Sequence, residues 1–75
     1  MEQMVINVVE LCRPKSGSSI SPDMDIQRDL EFESLDMMML GTELEAAFDI
    51  AIKDSDFKEI KTVGDLINHI KKVKN

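Results

Sequence analysis

Three blocks of apolar residues recur at helical spacing along this chain and alternating strand patterns are nearly absent, which restricts it to a small helical bundle. In the first block Met4, Val5, Val8, Leu11 and Cys12 share one face of a helix over about residues 2–13. Pro14 ends it, because proline lacks the N–H and clashes with the preceding turn. In the second block, Leu35 to Phe48, the residues Met37, Leu40, Leu44 and Phe48 form the stripe expected to face the core, with Ala47 beside them. Leu35, Met38, Met39 and Thr42 make another apolar strip rotated well away around the same helix, so part of it should be exposed. The third block, Val63, Leu66, Ile67, Ile70 and Val73, is opened by Thr62 and Asp65, a capping-box pair with Asp in place of the usual Glu, and is expected to reach about Lys72. Ahead of it, Ile50 and Ile52 sit in a short extended connector, and Asp54 or Ser55 caps a brief helix carrying Phe57 and Ile60. The expectation is an all-α fold of three main helices plus one short one.

Between the first two helices the composition shifts to Ser16, Gly17, Ser18, Ser19, Ser21 and Pro22, with Ile20, Met24, Ile26, Leu30 and Phe32 dispersed among polar residues. This reads as a loop of about 20 residues pinned by apolar anchors, and loops of that length in a small fold tend to carry function. A chain of 75 residues buries only roughly 60% of its unfolded surface, so a single domain over residues 1–75 is expected. Its 32% charged and 43% apolar residues are a globular balance rather than the signature of disorder.

The formal charge of −6 is concentrated: between Asp29 and Asp65 eleven acids face three lysines. Such a face repels nucleic acid and anionic membranes and steers proteins with basic patches towards it, although acids also serve simply to keep a small domain soluble. Lys71, Lys72 and Lys74 lie where cations complement the dipole of the last helix. Cys12 has no second cysteine to pair with and falls on the apolar stripe of the first helix, where it is a core filler. The N-terminus has no basic region followed by an apolar run, and no stretch approaches membrane-spanning length. A soluble, cytoplasmic, monomeric protein is the expectation.

Little in the chain supports catalysis. The one histidine, His69, flanks the stripe of the last helix, and there is no nucleophile–base pair, Gly-rich phosphate loop or metal-ligand spacing. Glu31, Glu33 and Asp36 match no EF-hand loop, so no metal site is assigned. What stands out is Ser34, placed where the loop gives way to the second helix. Its hydroxyl can satisfy orphan amides as an N-cap. A serine without an adjacent base is also inert until another enzyme activates it, and a phosphate or phosphodiester added at this position would be favoured by the helix amides and dipole.

The run Asp29-Leu30-Glu31-Phe32-Glu33-Ser34-Leu35-Asp36 resembles the Asp-Leu-Gly-x-Asp-Ser-Leu hallmark of the acyl carrier proteins. Downstream, Leu40, Leu44, Glu45, Phe48, Ile52, Ile60, Thr62, Val63, Leu66 and Ile70 fall where that family has core and capping residues. The resemblance implies that Ser34 carries 4'-phosphopantetheine, added by a phosphopantetheinyl transferase from coenzyme A, and that acyl groups ride as thioesters on the arm's thiol. It implies no catalysis by the chain itself. Acyl-loading, condensing and acyltransferase enzymes with basic docking patches are the implied partners. Mapped by position, Glu33, Asp36 and Glu45 would steer them, with Leu35, Met38 and Met39 docking on an adaptable, Met-rich surface. Reversing the charge at Asp36 or Glu45 is expected to slow loading and leave the fold intact.

The departures from the hallmark point to a specialised member serving lipid tailoring, polyketide assembly or aminoacyl transfer. Glu31 replaces the usual Gly, Glu33 replaces Asp, Phe32 is bulky, and Met39 stands where fatty-acid carriers commonly have Glu. Gly41 should weaken the second helix by roughly 1 kcal/mol relative to Ala. The alternatives to an acyl carrier are an aminoacyl or peptidyl carrier of the same architecture, and a noncovalent acidic adaptor in which Ser34 stays unmodified.

Overall fold

Among the described residues four helices form close to where apolar periodicity and cap chemistry place them. The computed structural model describes residues 1–74 and contains α1 (Glu2–Cys12), α2 (Ser34–Phe48), α3 (Asp54–Phe57) and α4 (Val63–Lys74). Among the described residues the only strand-like feature is an isolated bridge between Asp25 and Thr62. The all-α expectation of three main helices, one short helix and a long loop after the first holds.

The covered face of α1 is narrower than the periodicity suggests and rotated. Val5 and Val9 are fully buried and Cys12 nearly so, while Val8 is half-buried, Met4 is exposed and Leu11 is 74% exposed. The expected stripe omitted Val9 and included two residues on its outer edge. Helical spacing defines a wide apolar arc, but which part is covered depends on where α2 and α4 press against it. The same reasoning corrects Ala47 and Val73, both exposed although read as lying with the core stripes. Met37, Leu40, Leu44 and Phe48 of α2 do enter the core, together with Val63, Leu66, Ile67 and Ile70 of α4.

The end of α1, the end of α2 and the start of α4 each have an identifiable cause. Arg13, just before Pro14, is extended, and its N–H makes the final bond of α1 to Val9 O. Asp49 closes α2 in the left-handed region at φ 54°, a conformation Asp tolerates better than most residues. The Lys74 ammonium then donates to Phe48 O at 2.8 Å. α4 therefore runs past Lys72, and its last lysine ties it to the C-terminal carbonyls of α2 as well as complementing its own dipole. At the start of α4 the capping box is reciprocal: Asp65 N–H donates to Thr62 Oγ1 at 3.0 Å, and Thr62 N–H donates to Asp65 Oδ2 at 3.1 Å.

The long loop is neither loose nor regular. Ile20, Ile26, Leu30 and Phe32 are buried in the same cluster as the helices. Its backbone is stapled to the α3–α4 connection by Ile26 N–H to Lys61 O (2.9 Å), Val63 N–H to Met24 O (3.0 Å) and Gly64 N–H to Pro22 O (2.7 Å). Gly64 is required there, since a Cβ would meet Pro22 O at 3.0 Å. His69 of α4 stands 3.7 Å from Asp56 of α3, tying the short helix to the bundle whenever the imidazole is protonated.

Two outcomes are expected from this packing. Burial, and secondarily the Glu43 carboxylate, push the Cys12 thiol up from its ordinary pKa. Cys12 should therefore resist a thiol-alkylating reagent in the native state and react on addition of denaturant, which intact mass reads directly. The Asp65 carboxyl is held below the usual carboxylate range by the Thr62 and Lys61 N–H groups it accepts. Because its folded pKa is the lower one, its contribution is complete above the unfolded carboxylate range and disappears as pH falls through the folded value. Acid unfolding followed by circular dichroism should be less steep in Asp65→Asn. The difference will be small, since the group is exposed.

Candidate functional site

Ser34 is placed by the turn that precedes it. Asp25 and Asp29 close that turn: Asp29 N–H and Leu30 N–H donate to Asp25 O (2.8 and 3.2 Å), and Asp25 N–H donates to Asp29 Oδ2 (2.8 Å). Leu30 and Phe32 drop into the core on either side of Glu31. Between them Glu31 adopts φ 58°, a left-handed conformation that costs a non-glycine residue about 1–2 kcal/mol. Its carboxylate meets Lys15 at 3.1 Å, an exposed pair with little stabilising effect.

The N-cap of α2 is Glu33, and Ser34 is the first helical residue. This corrects the reading of Ser34 as a possible cap. Asp36 supplies the return half of a capping arrangement, its Oδ2 accepting Glu33 N–H at 2.9 Å. With that task taken, Ser34 is exposed, and none of the described residues hydrogen-bonds its hydroxyl. No histidine stands beside it, since His69 faces Asp56. The hydroxyl can thus act as an attachment point for an enzyme that brings its own base.

The remaining candidate residues divide into two groups. Leu35, Met38 and Met39 are 69%, 63% and 53% exposed, an apolar strip beside Ser34 with Glu33 exposed at its edge. Asp36 and Glu45 are half-buried and engaged with backbone, Asp36 as above and Glu45 through Oε2, which accepts Ile52 N–H at 3.1 Å. Their reading as free surface charges whose reversal spares the fold is therefore corrected: both also brace local structure.

A groove of about 550 Å³ opens from Ser34, between Met37 and Met38 of α2 and Phe57 and Ile60 across from them, with Lys58 and Lys61 also lining it. These opposing residues were not singled out from the sequence as site residues. The α3 segment is only four residues long, too short for periodicity to say which side faces α2. Lys58 and Lys61 are exposed cations in an acidic stretch, and together with the N-terminal amides of α2 they suit a phosphodiester on Ser34. The donor set thus fits a phosphorylated prosthetic group.

Comparison with known proteins agrees with this geometry. Residues 6–70 match the family described as the phosphopantetheine attachment site. The chain is 38% identical over 72 residues to the acyl carrier protein of Exiguobacterium sibiricum, covering 92% of this chain and 91% of that one. It belongs to the acyl carrier protein family. It is also 28% identical over 75 residues to the meromycolate extension acyl carrier protein of Mycobacterium tuberculosis, covering 65% of that protein. A solved structure assigned as an acyl carrier protein, also from Mycobacterium tuberculosis, superposes with a TM-score of 0.82 at 34% identity, each chain covered to 93%. The protein is a phosphopantetheine-bearing acyl carrier of fatty-acid or related biosynthesis. Among the described residues of the carrier, no helix is long and apolar enough to cross a membrane.

Two substitutions check the architecture around Ser34. Glu31→Gly should stabilise the carrier by up to about 1 kcal/mol in urea unfolding, because glycine adopts the left-handed conformation without the steric penalty. Asp36→Ala should cost about 1 kcal/mol, whereas Asp36→Asn, which keeps an acceptor for Glu33 N–H, should cost much less.

Proposed function

We propose that Ser34 is the attachment residue for 4'-phosphopantetheine and that residues 1–75 act as one carrier domain without catalysis of their own. The observation that carries this reading is a committed N-cap beside an uncommitted serine. Glu33 and Asp36 organise the first turn of α2, which leaves Ser34 Oγ free at the mouth of an apolar groove. When attached, the arm supplies a terminal thiol on which acyl groups are carried. The chain's contribution is to present the hydroxyl, offset the phosphodiester charge with the α2 amides and with Lys58 and Lys61, and exclude water from apolar cargo with Met37, Phe57 and Ile60. The apolar lining favours acyl over aminoacyl cargo, in keeping with the acyl carrier proteins to which the chain is similar.

The partners of this reading are a phosphopantetheinyl transferase using coenzyme A, and loading, condensing or acyltransferase enzymes with basic patches. Leu35, Met38 and Met39 would supply the apolar contact, with Glu33, Asp36 and Glu45 steering the approach. Asp36 and Glu45 would do so while still holding their backbone donors.

Incubation with coenzyme A and a promiscuous phosphopantetheinyl transferase should add one phosphopantetheine by intact mass. Ser34→Ala should abolish the gain and leave the circular dichroism spectrum unchanged, since Ser34 is not the cap. No gain with several transferases would leave the noncovalent adaptor as the better reading. Steering predicts that Asp36→Asn and Glu45→Gln, which retain backbone acceptors, slow this modification at low salt and much less at high salt. Equal rates for both variants and the parent at low salt would remove those two residues from the docking surface.

A further inference from the structure

The groove that opens at Ser34 is not the only cavity between α2 and α3. A second one, of about 140 Å³, lies farther along α2 and reaches Thr42 and Glu45. The two have Met37, Met38, Asp54 and Phe57 in common as wall residues. Gly41 lines only the farther one, seven residues from Ser34, which is about 10 Å along the helix axis. At the junction the Phe57 ring rests on Gly41: a Cβ added there would meet Phe57 Cε2 at 3.2 Å. Gly41 is buried in the interior of a helix, where glycine is unfavourable on propensity grounds. Its position is explained if the missing side chain makes the notch that receives the ring.

We propose that Phe57, seated in the notch left by Gly41, is the end stop of the groove and sets the longest acyl chain the carrier can shelter. The inference rests on Ser34 being the attachment residue and adds the element that discriminates cargo by length. A short apolar chain fills the space lined by Met37, Met38 and Ile60. A longer one meets the ring of Phe57, and beyond it the smaller cavity stays closed unless the ring swings out of the notch. Half-buried Phe57 sits at the end of a helix of four residues. It packs against the edge of the core, and the Gly41 backbone gives its ring one defined seat. Two substitutions push in opposite directions: Phe57→Ala removes the stop and joins the cavities, whereas Gly41→Ala fills the notch and forces the ring towards the groove.

The test uses the full chain carrying straight, saturated acyl groups of graded length on non-hydrolysable amide-linked pantetheine arms, attached enzymatically and verified by intact mass. Thermal midpoint is read against chain length. For the parent the midpoint should rise with each added methylene and then level off. In Phe57→Ala the levelling-off should move to longer chains, and in Gly41→Ala to shorter ones. Coincident levelling-off in the parent and both variants, or a midpoint independent of chain length, overturns the end stop while attachment at Ser34 stands. Absence of any mass gain at Ser34 overturns both. Should Phe57→Ala unfold, Phe57→Leu, closer in volume, carries the same prediction with a smaller displacement.

Discussion

Everything positioned around Ser34 depends on the long loop being stapled to the connection between α3 and α4. Three backbone bonds, from Ile26, Val63 and Gly64 to Lys61, Met24 and Pro22 respectively, bring together segments about forty residues apart in sequence. They fix the loop that presents α2 and the segment that carries Ile60 and Lys61, so both sides of the groove are set by one contact. The close approach at Gly64 and the burial of Ile26 make that contact specific. Backbone groups this near the core would be costly to leave unpaired, which is why a loop of this length can be ordered without helix or sheet.

Strain is placed where this staple ends. Leu30 and Phe32 are both buried, with Glu31 exposed between them. Glu31 is left-handed. A glycine would adopt that conformation without penalty, and the family hallmark has one at this position. In this chain the penalty is offset by two buried side chains, each of which contributes roughly 1.5–3 kcal/mol relative to exposure. The trade therefore favours the observed geometry even with glutamate. Lys15, which meets the Glu31 carboxylate, adds little to it.

Much of this was legible in the sequence, for physical reasons that also mark where legibility stops. Helix order, the Thr62–Asp65 capping box, the core residues of α2 and the exposed strip of Leu35, Met38 and Met39 follow from period and cap chemistry, which are local. The rotation of α1 towards Val9 does not follow, because an apolar arc wider than its covered part is compatible with several orientations. The assignment of the α2 cap to Glu33 was missed for a related reason. Serine is the commoner cap, and only the hydrogen bond from Glu33 N–H to Asp36 shows that the helix begins one residue earlier than a Ser34 cap would place it. Likewise Gly41 reads as a local weakness until Phe57, sixteen positions away, is seen against it. Asp36 and Glu45 read as exposed acids because sequence shows charge but not the backbone donors each one meets.

One helix, α2, serves several tasks at once. α2 has Leu40 and Leu44 in the core, Leu35 and Met39 in solvent, and Met37 with Gly41 turned towards α3. A helix with apolar groups on all sides is normally buried all round. Here the helix stays at the surface, and its exposed apolar strip is bordered by acids that discourage self-association and attract basic partners. Two of those acids are anchored to backbone at the two ends of the strip, Asp36 at the first turn and Glu45 near the last. Anchoring restricts the rotamers of both carboxylates before any partner arrives, so less side-chain entropy is lost on docking than with freely rotating glutamates. The bonds that start and finish α2 therefore also hold its charges in a fixed frame around Ser34, and the stability of the helix and the geometry of its recognition face cannot be varied independently.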